Sequence, residues 1–244
     1  MKNRAQKLAF CVALAAASAL PAFGQERPKS PLGVAQTALG HYFRKMRGNN
    51  PNLRGPADPI ATVDYVRKLG GGGVQMAIPP DTDIKALRAK LDSLALTAPS
   101  CHVGMPQVEA QWATTAAAAK ALGHQWVIVA SVPGKSLASI EGLKDLAKRF
   151  NEAGARCRDA GMRFAYHNHN AEFKPVGAPT GSVMPLDVLL GETDPALVDF
   201  EMDLYWTTAG GADPIKLLTE HKGRYKLMHV KDMKEKKRFS GVEK

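Results

Sequence analysis

Residues 126–169, WVIVASVPGKSLASIEGLKDLAKRFNEAGARCRDAGMRFAYHNH, contain the pattern that decides the fold. The apolar run at 126–130 predicts a buried strand, 137–160 carries apolar residues at helical spacing, and 162–167 is again strand-like. Gly161 directly follows the helical segment, where glycine commonly ends a helix. A strand, a helix and a second strand in this order indicate a βαβ unit with parallel strands.

The same alternation continues in both directions along the chain. Further strands are predicted at 32–37, 73–78, 100–105, 198–204 and 225–230, and further helices at 59–69, 81–94, 108–122, 186–190 and 213–220. Seven strands, most of them followed by a helical pattern, predict an α/β fold with a parallel sheet. The regular spacing favours a closed (β/α)8 TIM barrel over an open doubly wound sheet, and no glycine-rich dinucleotide fingerprint follows the first strand.

A barrel of this type has eight strands in about 250 residues. The chain has 244 residues and seven predicted strands, and a charged segment follows the seventh. We therefore expect that the last βα unit, about 30 residues, is missing. An unpaired gap between the first and seventh strands, and poor stability, would follow because both strands would present unpaired backbone groups.

The first 24 residues have the order of a secretory signal peptide. Lys2, Arg4 and Lys7 precede an apolar stretch at 8–17, and Ala22-Phe23-Gly24 offers small residues at the two positions that a signal peptidase reads. Cleavage is predicted before Gln25, so the barrel domain would be 25–244 and the protein would be exported, to the periplasm or the medium. A short buried N-terminal helix is the alternative, and no later apolar run is long enough to cross a bilayer.

Composition restricts the partners. The 33 Lys and Arg against 23 Asp and Glu give a formal net charge of +10, but the charges are scattered without a basic helix, so nucleic-acid binding is not expected. A small-molecule partner is expected, and whether copies of the chain associate is left open. Beyond the predicted signal peptide, Cys101 and Cys157 fall on a strand and a helix and are interpreted as two separate buried thiols.

Polar residues cluster where three consecutive strands end, which is where TIM barrels place their sites. Because strand side chains alternate, residues two apart share a face. Imidazole and carboxylate groups there indicate a site for Mn²⁺, Co²⁺, Zn²⁺ or Fe²⁺. A single histidine at a strand end is more often a loop hydrogen-bonding residue, but three such strands favour the metal. The residues concerned are His167, His169, Glu201, Asp203, His229 and Lys231.

Two further polar residues are less clear. Glu201 lies deeper than Asp203 and is expected to pair with a lysine or arginine of the barrel. His102, on the third predicted strand, either lines a substrate pocket or has a structural role.

Six segments resemble the xylose isomerase-like TIM barrels, the sugar phosphate isomerase/epimerase group. They are GMRFAYHNHNAEF at 161–173, DP at 194–195, VDFEMDLYW at 198–206, AG at 209–210, DP at 213–214 and HVKD at 229–232. The resemblance implies a divalent metal, with Mn²⁺ expected first and Mg²⁺ among the alternatives. Its ligands would be His167 in place of a strand-five glutamate, Asp203 and His229, and the strand-eight glutamate has no counterpart.

The resemblance also implies that His169, Glu172 and Lys231 contact substrate. Family epimerases use two glutamates as an acid/base pair; here one is His167 and the other is absent, so proton abstraction would fall to Glu172, His169 or the missing glutamate. The implied activity is isomerisation or epimerisation of a sugar or keto-sugar through a metal-stabilised enediolate, although this fragment would have little of it. A metal-dependent lyase or hydrolase of keto-glycosides, a phosphodiesterase, and a non-catalytic sugar-binding barrel are the alternatives.

Overall fold

The computed structural model describes residues 12–14, 32–35, 59–68, 70–78, 81–177, 181–231 and 233. The strands are β1 Val12–Leu14, β2 Leu32–Ala35, β3 Gly73–Ala77, β4 Thr97–Val103, β5 Trp126–Val129, β6 Arg163–His167, β7 Val198–Asp203 and β8 Tyr225–Val230. The helices are α1 Pro59–Lys68, α2 Ile84–Ser93, α3 Met105–Val108, α4 Trp112–Leu122, α5 Ile140–Asp159, α6 Pro185–Glu192, α7 Leu204–Ala209 and α8 Pro214–Glu220. None of these helices combines the length and apolarity needed to cross a bilayer.

The eight strands form a closed barrel in chain order, which confirms the predicted TIM barrel. Each of β2 to β7 pairs in parallel with the strand that follows it, so β2 to β8 are seven parallel strands. The helix α5 covers one side, and its Phe150 packs 5.4 Å from Phe164 and 4.8 Å from Tyr166, measured between ring centroids. Parallel pairing brings the carboxyl ends of all seven strands to one mouth, where the polar residues lie.

The predicted gap between the first and seventh parallel strands is wrong for the residues that the structure describes. Strand β1 lies between β2 and β8 and runs antiparallel to both, with Val12 opposite Val34 and Val230. The physical reason is that the edges of β2 and β8 carry free N–H and C=O groups, which any extended segment can pair. Strand β1 falls inside the predicted signal peptide, whose other residues lie outside the described ranges.

Several elements differ from the sequence prediction. The helix predicted at 108–122 is two helices, α3 and α4, because the chain turns at Glu109, which accepts a hydrogen bond from Arg149. The strand predicted from residue 100 begins at Thr97. Helix α7 was not predicted; it starts directly after β7 because the Asp203 side chain accepts from the Trp206 amide. Cys101 and Cys157 are free and buried, as predicted.

Gly154, inside α5, lies against the segment that leads into β7. A Cβ there would meet the Leu197 carbonyl oxygen and would lie 2.9 Å from its carbonyl carbon, whereas a Cβ on Gly191 in α6 meets nothing within 4 Å. We expect Gly154→Ala to lower the free energy of unfolding by about 1–3 kcal/mol, because backbone must move. Gly191→Ala is the control and should raise it by about 0.5–1 kcal/mol. Urea unfolding of both variants is the measurement, and equal effects would contradict the close approach.

Candidate metal centre

The polar cluster sits at the carboxyl end of the barrel and is built by adjacent strands. The pairing of β6, β7 and β8 places His167 beside Glu201 and Asp203 beside His229. Successive side chains of a strand point to opposite faces, so Glu201 and Asp203, two positions apart on β7, point to the same face at two depths. All four side chains are at most 4% exposed.

The inner level is organised around Glu201. Its Oε2 lies 2.9 Å from His102 Nε2, 2.9 Å from His167 Nδ1 and 3.5 Å from His229 Nε2. Its Oε1 accepts a hydrogen bond of 2.7 Å from Gln75 Nε2. Gln75 also contacts His229 Nε2 through its Oε1. The carboxylate of Glu201 is therefore surrounded by donors.

The outer level is organised around Asp203. Its Oδ2 lies 3.7 Å from His167 Nε2 and 3.8 Å from His229 Nδ1, and Lys231 Nζ donates to it at 2.5 Å. The Trp206 amide donates to its Oδ1 at 3.0 Å. Each of the two histidines thus places one ring nitrogen at the inner level and the other at the outer level.

Burial and neighbouring charge set the ionisation of these groups. Burial lowers the pKa of His167 to about 3, so its ring is neutral at pH 7. Burial alone would raise the pKa of both carboxylic acids, but the surrounding groups reverse this. Lys231, which donates to its Oδ2, holds the pKa of Asp203 at about 2. His229, His102 and His167 hold the pKa of Glu201 well below its ordinary value.

The donor set fits a divalent cation. His102, His167, Glu201 and His229 each offer a ligand atom within 4.8 Å of one another. His229 Nδ1 is buried and has no hydrogen-bond partner, although it faces the carboxylate of Asp203. A buried nitrogen lone pair opposite a carboxylate oxygen needs a proton or a cation between them. Nitrogen and oxygen ligands of this kind suit Zn²⁺, Mn²⁺, Co²⁺ or Fe²⁺.

The predicted substrate-contacting residues lie at two depths. His169 is partly exposed at the mouth, with its ring centroid 5.5 Å from that of Trp206 and 4.9 Å from that of His167. The Lys231 ammonium lies 5.8 Å from the centre of the Trp206 ring. Glu172 is 2% exposed and lies beneath this level, accepting from the Tyr166 hydroxyl and, at 3.0 Å, from the His169 amide. Burial raises the pKa of Glu172 and lowers that of His169 to about 4.

The structure brings His167, Asp203 and His229, which the sequence predicts as ligands, together at one mouth, but sequence reasoning misjudged the inner level. The prediction that Glu201 pairs with a lysine or arginine is wrong: its partners are Gln75 and the histidines. His102, for which the sequence allowed two roles, belongs to this cluster. Gln75 was missed, and the available signal was a polar residue inside the apolar segment GVQMA of β3.

Comparison with known proteins gives the chain its relatives. A family model described as "Xylose isomerase-like TIM barrel" matches residues 63–241. An inosose dehydratase of Clostridium tetani is 33% identical over 101 residues, which is 41% of this chain and 32% of that protein. The chain is thus matched over about a third of the length of this curated relative.

Two solved structures are similar in fold. A sugar phosphate isomerase/epimerase from Parabacteroides distasonis superposes with a TM-score of 0.62 at 25% identity, covering 69% of this chain and 71% of the other. The IolI protein with a bound zinc atom has a TM-score of 0.52 at 11% identity, covering 67% and 64%, which shows a common fold alone.

Proposed function

The chain belongs to the xylose isomerase-like TIM barrel family, and on that premise we propose that it is a metal-dependent enzyme that removes a proton next to the carbonyl of a keto-sugar or keto-polyol. The observation that carries this proposal is the outer level of the cluster. Two imidazole nitrogens and one carboxylate oxygen converge there, with a further imidazole and an ammonium group beside them. Groups of these kinds can bind a carbonyl oxygen through a metal ion and move an adjacent proton.

His167, Asp203 and His229 would hold the metal ion. When bound, the ion supplies Lewis acidity for a carbonyl oxygen of the substrate. Mn²⁺ is our first expectation, and the nitrogen ligands also suit Zn²⁺. Lys231 would donate a hydrogen bond to a substrate hydroxyl, and the exposed part of Trp206 would pack against the carbon face of the sugar.

His169 is the best candidate for the group that accepts the proton. Its ring is partly exposed at the mouth and, with a pKa lowered to about 4 by burial, it is neutral and able to accept a proton at pH 7. Glu172 is less suited because both of its oxygens already accept hydrogen bonds. Glu172 would instead fix the loop that carries His169, through the His169 amide.

Two reactions share this first step. Return of the proton to the other face or the neighbouring carbon gives epimerisation or isomerisation, and loss of a hydroxyl from the next carbon gives dehydration. The solved relative named as an isomerase/epimerase favours the first, and the inosose dehydratases among the sequence relatives favour the second. The substrate class that covers both is a small polyhydroxylated ketone.

Exchange of the substrate proton with solvent tests this function. Protein loaded with Mn²⁺ would be incubated in D₂O with an inosose and, separately, with a ketohexose. We expect NMR to show deuterium entering next to the carbonyl of at least one of them, with a new product signal that identifies dehydration or epimerisation. Metal binding without exchange in either compound would instead favour the non-catalytic sugar-binding alternative.

Export is a second part of the proposal, supported by the basic and then apolar order of residues 1–24. Cleavage before Gln25 would remove β1 and leave β2 and β8 without the partner seen between them. We therefore expect a chain beginning at Gln25 to melt at a lower temperature than the 244-residue chain.

Mass spectrometry tests the cleavage itself. We expect protein from a bacterial secretion host to have Gln25 as its first residue. An intact Met1 on the exported protein would contradict the cleavage.

A further inference from the structure

We propose that Glu201 is a positioning residue that determines which ring nitrogen of two histidines is free to bind a metal ion. It acts on His167 directly and on His229 through Gln75. This inference rests on the proposed metal site and adds to it a residue that is itself not a ligand. The positions of the free nitrogens also indicate that the outer level, around Asp203, holds the metal.

The first step is the orientation of the Gln75 amide. Its Nε2 lies 2.7 Å from Glu201 Oε1 and 2.9 Å from Ser100 Oγ. A carboxylate oxygen only accepts hydrogen bonds, so the NH₂ group of Gln75 must face Glu201. The carbonyl oxygen of Gln75 is thereby turned toward His229 Nε2.

The second step is the tautomer of His229. Because the Gln75 carbonyl oxygen can only accept, His229 Nε2 must carry a hydrogen. The lone pair of a neutral ring is then on Nδ1, which is the buried nitrogen without a hydrogen-bond partner. It lies 3.8 Å from Asp203 Oδ2, too far for a hydrogen bond.

The third step concerns His167, which Glu201 fixes without an intermediary. His167 Nδ1 lies 2.9 Å from Glu201 Oε2 and must donate to it, which leaves the lone pair on Nε2, 3.7 Å from Asp203 Oδ2. Both free nitrogens therefore face the outer level. The ring nitrogens that face Glu201 carry the hydrogens, whereas the two free nitrogens face Asp203, so the metal belongs with Asp203. A carboxylate that orients ligating imidazoles from behind is a common partner of metal sites.

Glu201→Gln tests this chain of hydrogen bonds because it replaces one acceptor oxygen with an NH₂ donor and changes the side-chain volume little. The new amide would keep its oxygen toward His102 and His167 and present NH₂ to Gln75. Gln75 would then turn over and offer its own NH₂ to His229 Nε2. We expect ¹⁵N NMR of the metal-free variant to show the hydrogen of His229 moved to Nδ1, and calorimetric titration with Zn²⁺ to show affinity about 10–100-fold lower.

The exchanged pair Glu201→Gln/Gln75→Glu is the rescue. A glutamate at position 75 would again accept from His229 Nε2, so both the tautomer and the Zn²⁺ affinity should return toward the wild type. Asp199→Asn is the matched control: Asp199 is a buried carboxylate two residues earlier on β7, but it binds Arg163 and Trp126. It should change neither readout. If Glu201→Gln does not fold, Gln75→Leu replaces it and should mix the tautomers of His229 while leaving His167 unchanged.

The outcomes separate this inference from the proposed function. An unchanged His229 tautomer in Glu201→Gln, or no rescue in the exchanged pair, overturns it. Loss of Zn²⁺ binding in Glu201→Gln with full binding in Asp203→Asn also overturns it, because the metal would then be at the inner level. If the tautomers behave as expected but the wild type binds neither Zn²⁺ nor Mn²⁺, the positioning role stands and the proposed function fails.

Discussion

Replacing Asp203 with asparagine should lower the affinity for Zn²⁺ and Mn²⁺ by more than about 100-fold, beyond the 10–100-fold typical of residues behind the ligands. Asp203 supplies the oxygen that the free nitrogens of His167 and His229 face, at 3.7 and 3.8 Å. An asparagine oxygen carries no net charge, so the cation would lose both a strong ligand and its nearest counter-charge. Calorimetric titration of the two proteins with each ion is the measurement.

The variant should still fold, which makes its result interpretable. The side chain of Asp203 caps α7 by accepting from the Trp206 amide, and asparagine caps helices equally well. Asp213→Asn is the control, since Asp213 caps α8 at an exposed position with the same chemistry. Wild-type affinity in Asp203→Asn would mean that Asp203 serves only as the cap of α7 and as the partner of Lys231.

The parts of this site that sequence could predict are those that depend on a single strand. Alternation along β6, β7 and β8 is local, so the sequence alone predicts that His167, Asp203 and His229 share one face. The order of strands and helices follows equally from local periodicity. The parallel barrel and its mouth are therefore encoded in short stretches of sequence.

The partners of Glu201 depend instead on contacts across the barrel. Gln75 and His102 come from β3 and β4, 126 and 99 positions away in the chain. The pairing of β7 with β8 also shifts register between Phe200 and Glu201. Such contacts are set by barrel closure, which no local pattern reports, so the sequence assigned Glu201 the wrong partners. The position of β1 was missed for the same reason.

His169→Gln should reduce exchange of the substrate proton by about 10²–10⁴-fold, the usual contribution of a general base. Metal affinity should stay at the wild-type level, because the ring of His169 packs beside His167 and Trp206 without supplying a predicted ligand. Deuterium incorporation followed by NMR, with the Mn²⁺-loaded protein and whichever ketone the wild type exchanges, gives the rate. The split between lost exchange and retained binding distinguishes proton transfer from damage to the metal site.

The pH profile and a second variant decide between His169 and Glu172. A base must be deprotonated to act, and burial lowers the pKa of His169 to about 4. The wild-type rate should therefore hold as pH falls through 6.5, the ordinary histidine value, and decline only as pH approaches 4. If Glu172 were the base, the rate would also decline as pH falls, but the decline would begin at a higher pH, because burial raises the pKa of Glu172. Glu172→Gln should keep most of the exchange, since glutamine can still accept from the His169 amide. If Glu172→Gln instead loses exchange while His169→Gln retains it, Glu172 is the base and the loop of His169 only positions the substrate.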